Sequence, residues 1–242
     1  MNRHALLALA TVSSLLLTDL ALADETTLAA GAGFRRPLAE LATDFSARSG
    51  HKILQVYGHV GQVLAQARES PEITVVCGDK ATFAKAEGIS FSTWVPLGQG
   101  KLVIAWRRGL QLAKAGDVTG DDFKRVGIPD QANAIYGRAG RQFLQRAGLA
   151  ATIDPRLVPV ATVPQVTAYV ASGEVDAGFI NATDAIGAGT SIGGYVEVDQ
   201  NLYDPVEVAC GVRAGVSSQA LDAVTAYLGT DPARAILDRY GL

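Results

Sequence analysis

The chain has 242 residues, a formal net charge of −3 and no polybasic stretch, so neither nucleic acid nor a membrane surface is an implied partner. This length suffices for one large domain or for two lobes of about 100 residues each. Two cysteines without a Cys-X-X-Cys pair exclude the usual spacing of a zinc site.

Residues 1–23 have the pattern of a secretory signal peptide. Arg3 precedes an apolar stretch over 5–17 that is too short to span a bilayer, and Ala21 and Ala23 form a small-X-small cleavage site. We therefore expect cleavage after Ala23 and a soluble periplasmic protein without a membrane span. An uncleaved N-terminal anchor helix is the alternative.

Short apolar, β-branched runs alternate with amphipathic helices after this segment, which is typical of an α/β protein. The strands predicted in the first series are 26–30, 52–57 and 73–77, and the helices between them are 34–49 and 62–68. Asp79 is expected to cap the following helix. Next, 94–97 and 101–106 are predicted to form a strand pair joined by a turn at Gly98-Gln99-Gly100.

A second series of strands and helices follows before two helices close the chain, the first of them capped by Ser217. The strands predicted there are 126–128, 158–161, 175–180, 195–199 and 206–212, and the helices are 136–147, 163–172, 184–187, 217–228 and 232–240. We predict a two-lobed fold, each lobe a mostly parallel sheet flanked by helices. The predicted first lobe comprises 24–105 and 205–242, the second comprises 106–204, and hinges are expected near Trp106 and Asp204.

Two glycine-containing turns lie where a predicted strand passes into a helix. They are Gly31-Ala32-Gly33-Phe34 and Gly58-His59-Val60-Gly61. Such turns lie at the carboxyl ends of parallel strands, where free N–H groups at a helix start suit an anion. Arg35 and Arg36 follow the first turn, and either give the cleft a positive potential or cover the helix surface.

His59, Cys77 and Cys210 have alternative interpretations. His59 can donate to an anion, ligate a metal or lie on the surface. The two cysteines form either a disulfide, as their even number in an exported protein suggests, or two buried free thiols. A catalytic pair of His59 and Cys77 is disfavoured because Cys77 ends a buried strand. Paired carboxylates of the hydrolase type are not evident either, so we expect no enzyme and no cofactor.

Several motifs resemble, in order and spacing, those of the periplasmic molybdate/tungstate-binding proteins of ABC transporters. They are Leu28–Phe34, Gly61–Gln66, Ile73–Asp79, Ala134–Ala139, Gly173–Gly178 with Thr183–Ala185, and Tyr240–Leu242. The resemblance covers almost the whole mature chain. It implies the two-lobed periplasmic binding protein fold, a small oxyanion as ligand, an ABC permease as partner and a monomer.

The chain departs from this family at its ligand positions. Gly33 stands where the family has a serine, His59, Val60 and Gly61 replace its second serine turn, and Asn181 stands where a tyrosine is common. The contact set that the resemblance implies is Gly33, Phe34, His59, Val60, Gly61, Ala134, Val163 and Asn181. The family's hydroxyl donors are absent from these positions, so two further hypotheses stay open: a metal or metal-chelate binder that uses His59, and a periplasmic sensor.

Overall fold

The computed structural model describes residues 24–242, and the predicted signal peptide lies outside the described residues. Within this range, ten strands form two five-stranded sheets. The strands are β1 (Glu25–Gly31), β2 (Lys52–Gly58), β3 (Ile73–Asp79), β4 (Phe91–Gly100), β5 (Leu102–Trp106), β6 (Val126–Pro129), β7 (Leu157–Val160), β8 (Ala177–Asn181), β9 (Gly194–Glu197) and β10 (Val206–Arg213). The helices are α1 (Arg35–Ser49), α2 (Val60–Glu69), α3 (Lys80–Ala84), α4 (Ile135–Arg146), α5 (Ala150–Ile153), α6 (Val163–Ser172), α7 (Ala182–Ala188), α8 (Gln219–Leu228) and α9 (Asp231–Arg239).

The two sheets share one topology. The strand orders are β2-β1-β3-β10-β4 in the first sheet and β7-β6-β8-β5-β9 in the second. In each sheet the first three strands are parallel, the fourth runs antiparallel to both of its neighbours, and the fifth therefore runs with the first three. Each sheet is thus mixed, with four of its five strands in one direction. We call the residues packed on the first sheet the first lobe and those packed on the second sheet the second lobe.

The reversed strands, β5 and β10, adjoin the points where the chain passes from one sheet to the other. The predicted pairing of 94–97 with 101–106 is therefore wrong, because β4 pairs with β10 and β5 pairs with β8 and β9. The predicted lobe boundary at residue 105 falls inside β5, whereas the crossing between the sheets lies at Lys101. The chain returns to the first sheet between β9 and β10, and the lobe boundaries and hinge motion at these crossings stay predictions.

The longer helices form because each presents an apolar stripe to the protein core. In α1 the buried residues Leu38, Leu41 and Phe45 recur at helical spacing, and the helix ends at Gly50, whose φ of 75° is left-handed. Asp79 caps α3 as predicted, since its carboxylate accepts from the Thr82 amide at 3.2 Å. Helix α8 is capped by Ser218, one residue after the predicted Ser217.

Cys77 and Cys210 form a disulfide in the centre of the first sheet. They lie directly opposite each other on β3 and β10, and both are fully buried. The alternative of two free thiols is therefore wrong.

No helix within residues 24–242 is both long enough and apolar enough to cross a bilayer.

Candidate functional site

A small cavity lies between the lobes at the carboxyl ends of four parallel strands. The first lobe contributes the ends of β1 and β2, and the second lobe contributes the segments that follow β6 and β7. The lining residues are Gly31, Ala32, Gly33, Phe34, Gly58, His59, Val60, Ala134, Ile135, Tyr136, Thr162 and Val163. The cavity position therefore follows from the shared topology, which brings equivalent edges of the two sheets face to face.

Each of the four lining segments begins a helix. The 3₁₀ turn Ala32–Phe34 leads into α1, and the other three segments contain the starts of α2, α4 and α6. The first amides of a helix have no carbonyl partner within it, and the helix dipole adds positive potential there. Among the described residues that line the cavity, none is Asp, Glu, Lys or Arg. Helix starts of this kind favour an anion, and here they do so without an ionic side chain in the lining.

The size of the cavity limits what it can hold. About 20 Å³ is open to the centre of a water molecule, which is little more than the space that one ordered water requires. Pockets for drug-sized ligands have volumes of several hundred Å³. The cavity therefore favours a small ligand over sugars, peptides or nucleotides.

His59 is the N-cap of α2. Its Nδ1 accepts from the Gln62 amide at 3.3 Å, and the Gln62 side chain accepts from the His59 amide at 3.2 Å. Nδ1 is therefore used as an acceptor inside the lobe. Within residues 24–242 no group of three or more His, Cys, Asp or Glu side chains is placed to hold a metal ion. The metal hypothesis has no support in this geometry.

A turn of the second lobe closes over this helix start. The Val60 amide donates to the Asn133 carbonyl at 2.9 Å, which joins the two lobes beside the cavity. The Asp130 carboxylate accepts from the amides of Ala132 and Asn133, both at 2.8 Å, and holds the turn in shape. Hydrogen bonds from the backbone and side chain of Asn133 lower the pKa of Asp130, so this carboxylate is ionised at neutral pH.

A second contact between the lobes lies on the other side of α1. Arg36 donates from Nε to the Asp184 carboxylate at 3.0 Å, and Asp184 is buried on α7. Arg35 instead lies over the Tyr57 ring, with its guanidinium carbon 5.3 Å from the ring centroid. Neither arginine lines the cavity, so Arg36 bridges the lobes and Arg35 covers the surface of the first lobe.

The structure brings six of the eight predicted contact residues to the cavity: Gly33, Phe34, His59, Val60, Ala134 and Val163. Gly61 is one residue too far along α2 to line it. Asn181 is fully buried behind Gly33 and does not line it either. Its amide nitrogen donates to the Gly33 carbonyl at 2.9 Å.

Tyr136 and Thr162 are lining residues that the sequence did not single out. Tyr136 stands in the first turn of α4 and packs edge-on against Phe34 of the first lobe, with ring centroids 6.1 Å apart. Burial raises the pKa of the Tyr136 hydroxyl, which keeps it protonated. The Ala134–Ala139 motif contains this residue, but nothing in the sequence distinguishes a lining tyrosine from a core one.

Comparison with known proteins identifies the family to which this chain belongs. The family model described as bacterial extracellular solute-binding protein matches residues 26–242. The chain belongs to this family. A molybdate-binding protein of Rhodobacter capsulatus is 29% identical over 243 residues, which cover 97% of this chain and 93% of the relative. A molybdate-binding protein of Azotobacter vinelandii is 28% identical, over 93% of this chain and 92% of the relative.

Solved structures of extracellular solute-binding proteins have the same architecture. The periplasmic molybdate-binding protein of Azotobacter vinelandii superimposes with a TM-score of 0.80 at 25% identity, over 89% of this chain and 97% of that one. The sulfate-binding protein of Mycobacterium tuberculosis gives a TM-score of 0.74 at 14% identity, over 90% of this chain and 86% of that one, and shows the fold alone. The predicted fold class and the resemblance to molybdate-binding proteins are confirmed.

The His59 cap gives a prediction that separates capping from metal binding. Changing His59→Ala should lower the free energy of unfolding by about 1 kcal/mol, because the Gln62 amide loses its acceptor. His59→Asn, which keeps a capping oxygen, should recover most of this loss. Urea denaturation measures both variants. A wild-type protein that gains thermal stability from divalent or ferric ions, and loses that gain in both variants, would instead make His59 a metal ligand.

Proposed function

We propose that the protein is the periplasmic solute-binding component of an ABC importer, and that it binds a small tetrahedral oxyanion of the molybdate or tungstate type between its lobes. The observation that carries this proposal is the convergence of four helix starts, two from each lobe, on one small cavity. An anion held there would contact both lobes at once, so it would favour the closed form.

The donor chemistry favours a fully ionised oxyanion. Backbone amides are donors, and molybdate, tungstate and sulfate have acceptor oxygens alone at neutral pH. Hydrogen phosphate carries an O–H that needs an acceptor, and no carboxylate is among the described residues that line the cavity. We therefore expect phosphate to bind more weakly than the fully ionised anions, because a buried donor without a partner costs free energy.

The relatives support the cellular role. The family is described as extracellular, and the molybdate-binding relatives match along nearly their whole length. On this proposal the protein is exported to the periplasm, carries its solute unchanged as a monomer and delivers it to a permease. No observation on residues 24–242 favours the sensor or metal-binding alternative over this one.

Isothermal titration calorimetry of the mature protein, residues 24–242, tests the proposal. Molybdate and tungstate should bind with one site per chain. Sulfate serves as a comparison anion with the same charge and a different size. Phosphate should bind most weakly of the four. Binding also raises the melting temperature, since the ligand binds the folded state alone. Absence of both heat and thermal shift for all four anions would overturn the oxyanion proposal and leave the fold assignment untouched.

A further inference from the structure

Two side chains of the second lobe hold one carbonyl group of the first. Asn181, at the end of β8, donates from Nδ2 to the Gly33 oxygen at 2.9 Å, and the Thr183 hydroxyl donates to the same oxygen at 3.0 Å. All three residues are buried. A carbonyl oxygen has two lone pairs, so these two donors saturate it. The contact lies directly beside the anion cavity, because Gly33 is one of the lining residues.

The glycine at position 33 is what allows this approach. A Cβ placed on Gly33 would lie 3.1 Å from Oδ1 and 3.2 Å from Nδ2 of Asn181. These separations are tighter than ordinary contacts, so the Asn181 amide occupies the space in front of Gly33 that a side chain would need. The φ of Gly33 is not left-handed, so its backbone conformation does not by itself require glycine. The requirement for glycine comes from the Asn181 amide.

We propose that Gly33, Asn181 and Thr183 form a latch that holds the lobes closed by direct hydrogen bonds, so that Asn181 and Thr183 raise the affinity for the anion from outside the cavity lining. This inference rests on the proposed function for the identity of the ligand, but not for the closure itself. If the ligand binds the closed form, its apparent dissociation constant is the intrinsic value divided by the closed fraction. A latch that increases the closed fraction therefore tightens binding.

The same observation explains why Gly33 and Asn181 fit together in this chain. In this chain Asn181 uses its amide nitrogen between the lobes, and Gly33 provides the space for it. A serine at position 33 and the Asn181 amide would compete for the same volume. Gly33 and Asn181 are thus a matched pair, and changing one of them is expected to alter the effect of changing the other.

The closure itself is tested without any ligand. Lys52 in the first lobe and Lys114 in the second lobe are exposed and can each be replaced by a noncanonical residue that carries a spin label. Electron–electron double resonance then reports the distance between the two lobes. Asn181→Ala should shift the ligand-free distribution towards longer distances than in the wild type. Asn201→Ala is the matched control, because Asn201 is exposed and its side chain bonds to Asp199. Identical ligand-free distributions for wild type and Asn181→Ala would overturn the latch.

The pairing is tested by molybdate affinity in a double-mutant cycle. Asn181→Ala and Gly33→Ala should each weaken binding by about 5- to 10-fold, as expected for loss of one or two hydrogen bonds. The double variant should bind molybdate no more weakly than the single variant of lower affinity. Without the Asn181 amide, the Cβ introduced by Gly33→Ala no longer meets a close contact. Additive losses would contradict the pairing.

A third variant separates the latch from general packing. Thr183→Val keeps the shape of the side chain and removes the second donor to Gly33, so it should also lengthen the ligand-free distances. Gly33→Ser in the Asn181→Ala background should bind molybdate more tightly than Asn181→Ala alone, because the vacated space accepts a hydroxyl donor. If molybdate binds none of the proteins, including the wild type, the proposed function fails while the distance measurements still decide the latch.

Discussion

Replacing Cys77 and Cys210 together by alanine is expected to lower the free energy of unfolding by up to about 5 kcal/mol, the upper end of the usual range for a native disulfide. The bond joins residues 133 positions apart, so the loop that it closes contains the whole second lobe. Without it, the unfolded chain gains the freedom to separate these positions. The bond also ties β3 to β10, the strand by which the chain returns to the first sheet.

Urea denaturation monitored by circular dichroism measures this loss as a lower midpoint. Reductant supplies the control: it should destabilise the wild type by a similar amount after refolding, and it should leave the double alanine variant unchanged. Both sulfurs are fully buried, so reduction of the folded wild type should be slow. A midpoint that matches the wild type in the alanine variant would show that the sheet is held by its packing alone.

The sequence predicted the parts of the fold that depend on neighbouring residues. The apolar spacing of Leu38, Leu41 and Phe45 and the stop at Gly50 are local signals, and they located α1 correctly. The path from β4 to β5 was wrong because its decisive contacts are distant in the chain. Gly98 looked like part of a turn, but it lies inside β4, where the backbone of Leu242 packs so closely that a Cβ would be 2.4 Å from it.

For the candidate site, too, local sequence signals were informative and contacts between distant residues were not predictable. Glycine turns after β1 and β2 indicated two helix starts at the cavity, and the family resemblance added Ala134 and Val163 from the second lobe. The resemblance also placed Asn181 in the contact set, but where the two lobes meet its amide donates to Gly33. Sequence shows which groups a residue carries, whereas tertiary packing determines which partner each group has.

Ala134→Leu is expected to weaken molybdate binding by about 10- to 100-fold while the protein still folds. Ala134 lines the cavity and is the N-cap of α4, with an extended backbone that leucine also adopts. Leucine adds three carbon atoms to a space that has about 20 Å³ open to the centre of a water molecule. Seating an anion beside it would cost about 1–3 kcal/mol of overpacking and would move the ion away from the amides of at least one lobe.

Ala151→Leu is the matched control, because Ala151 is exposed on the short helix α5 and lies outside the cavity lining. It should keep the wild-type affinity in calorimetry. Ala134→Leu should melt within a few degrees of the ligand-free wild type and show a smaller shift than the wild type at the same molybdate concentration, because its cleft has less room for the ion. If Ala134→Leu instead binds molybdate as tightly as the wild type, the anion binds elsewhere, and the convergence of the four helix starts would not define the site.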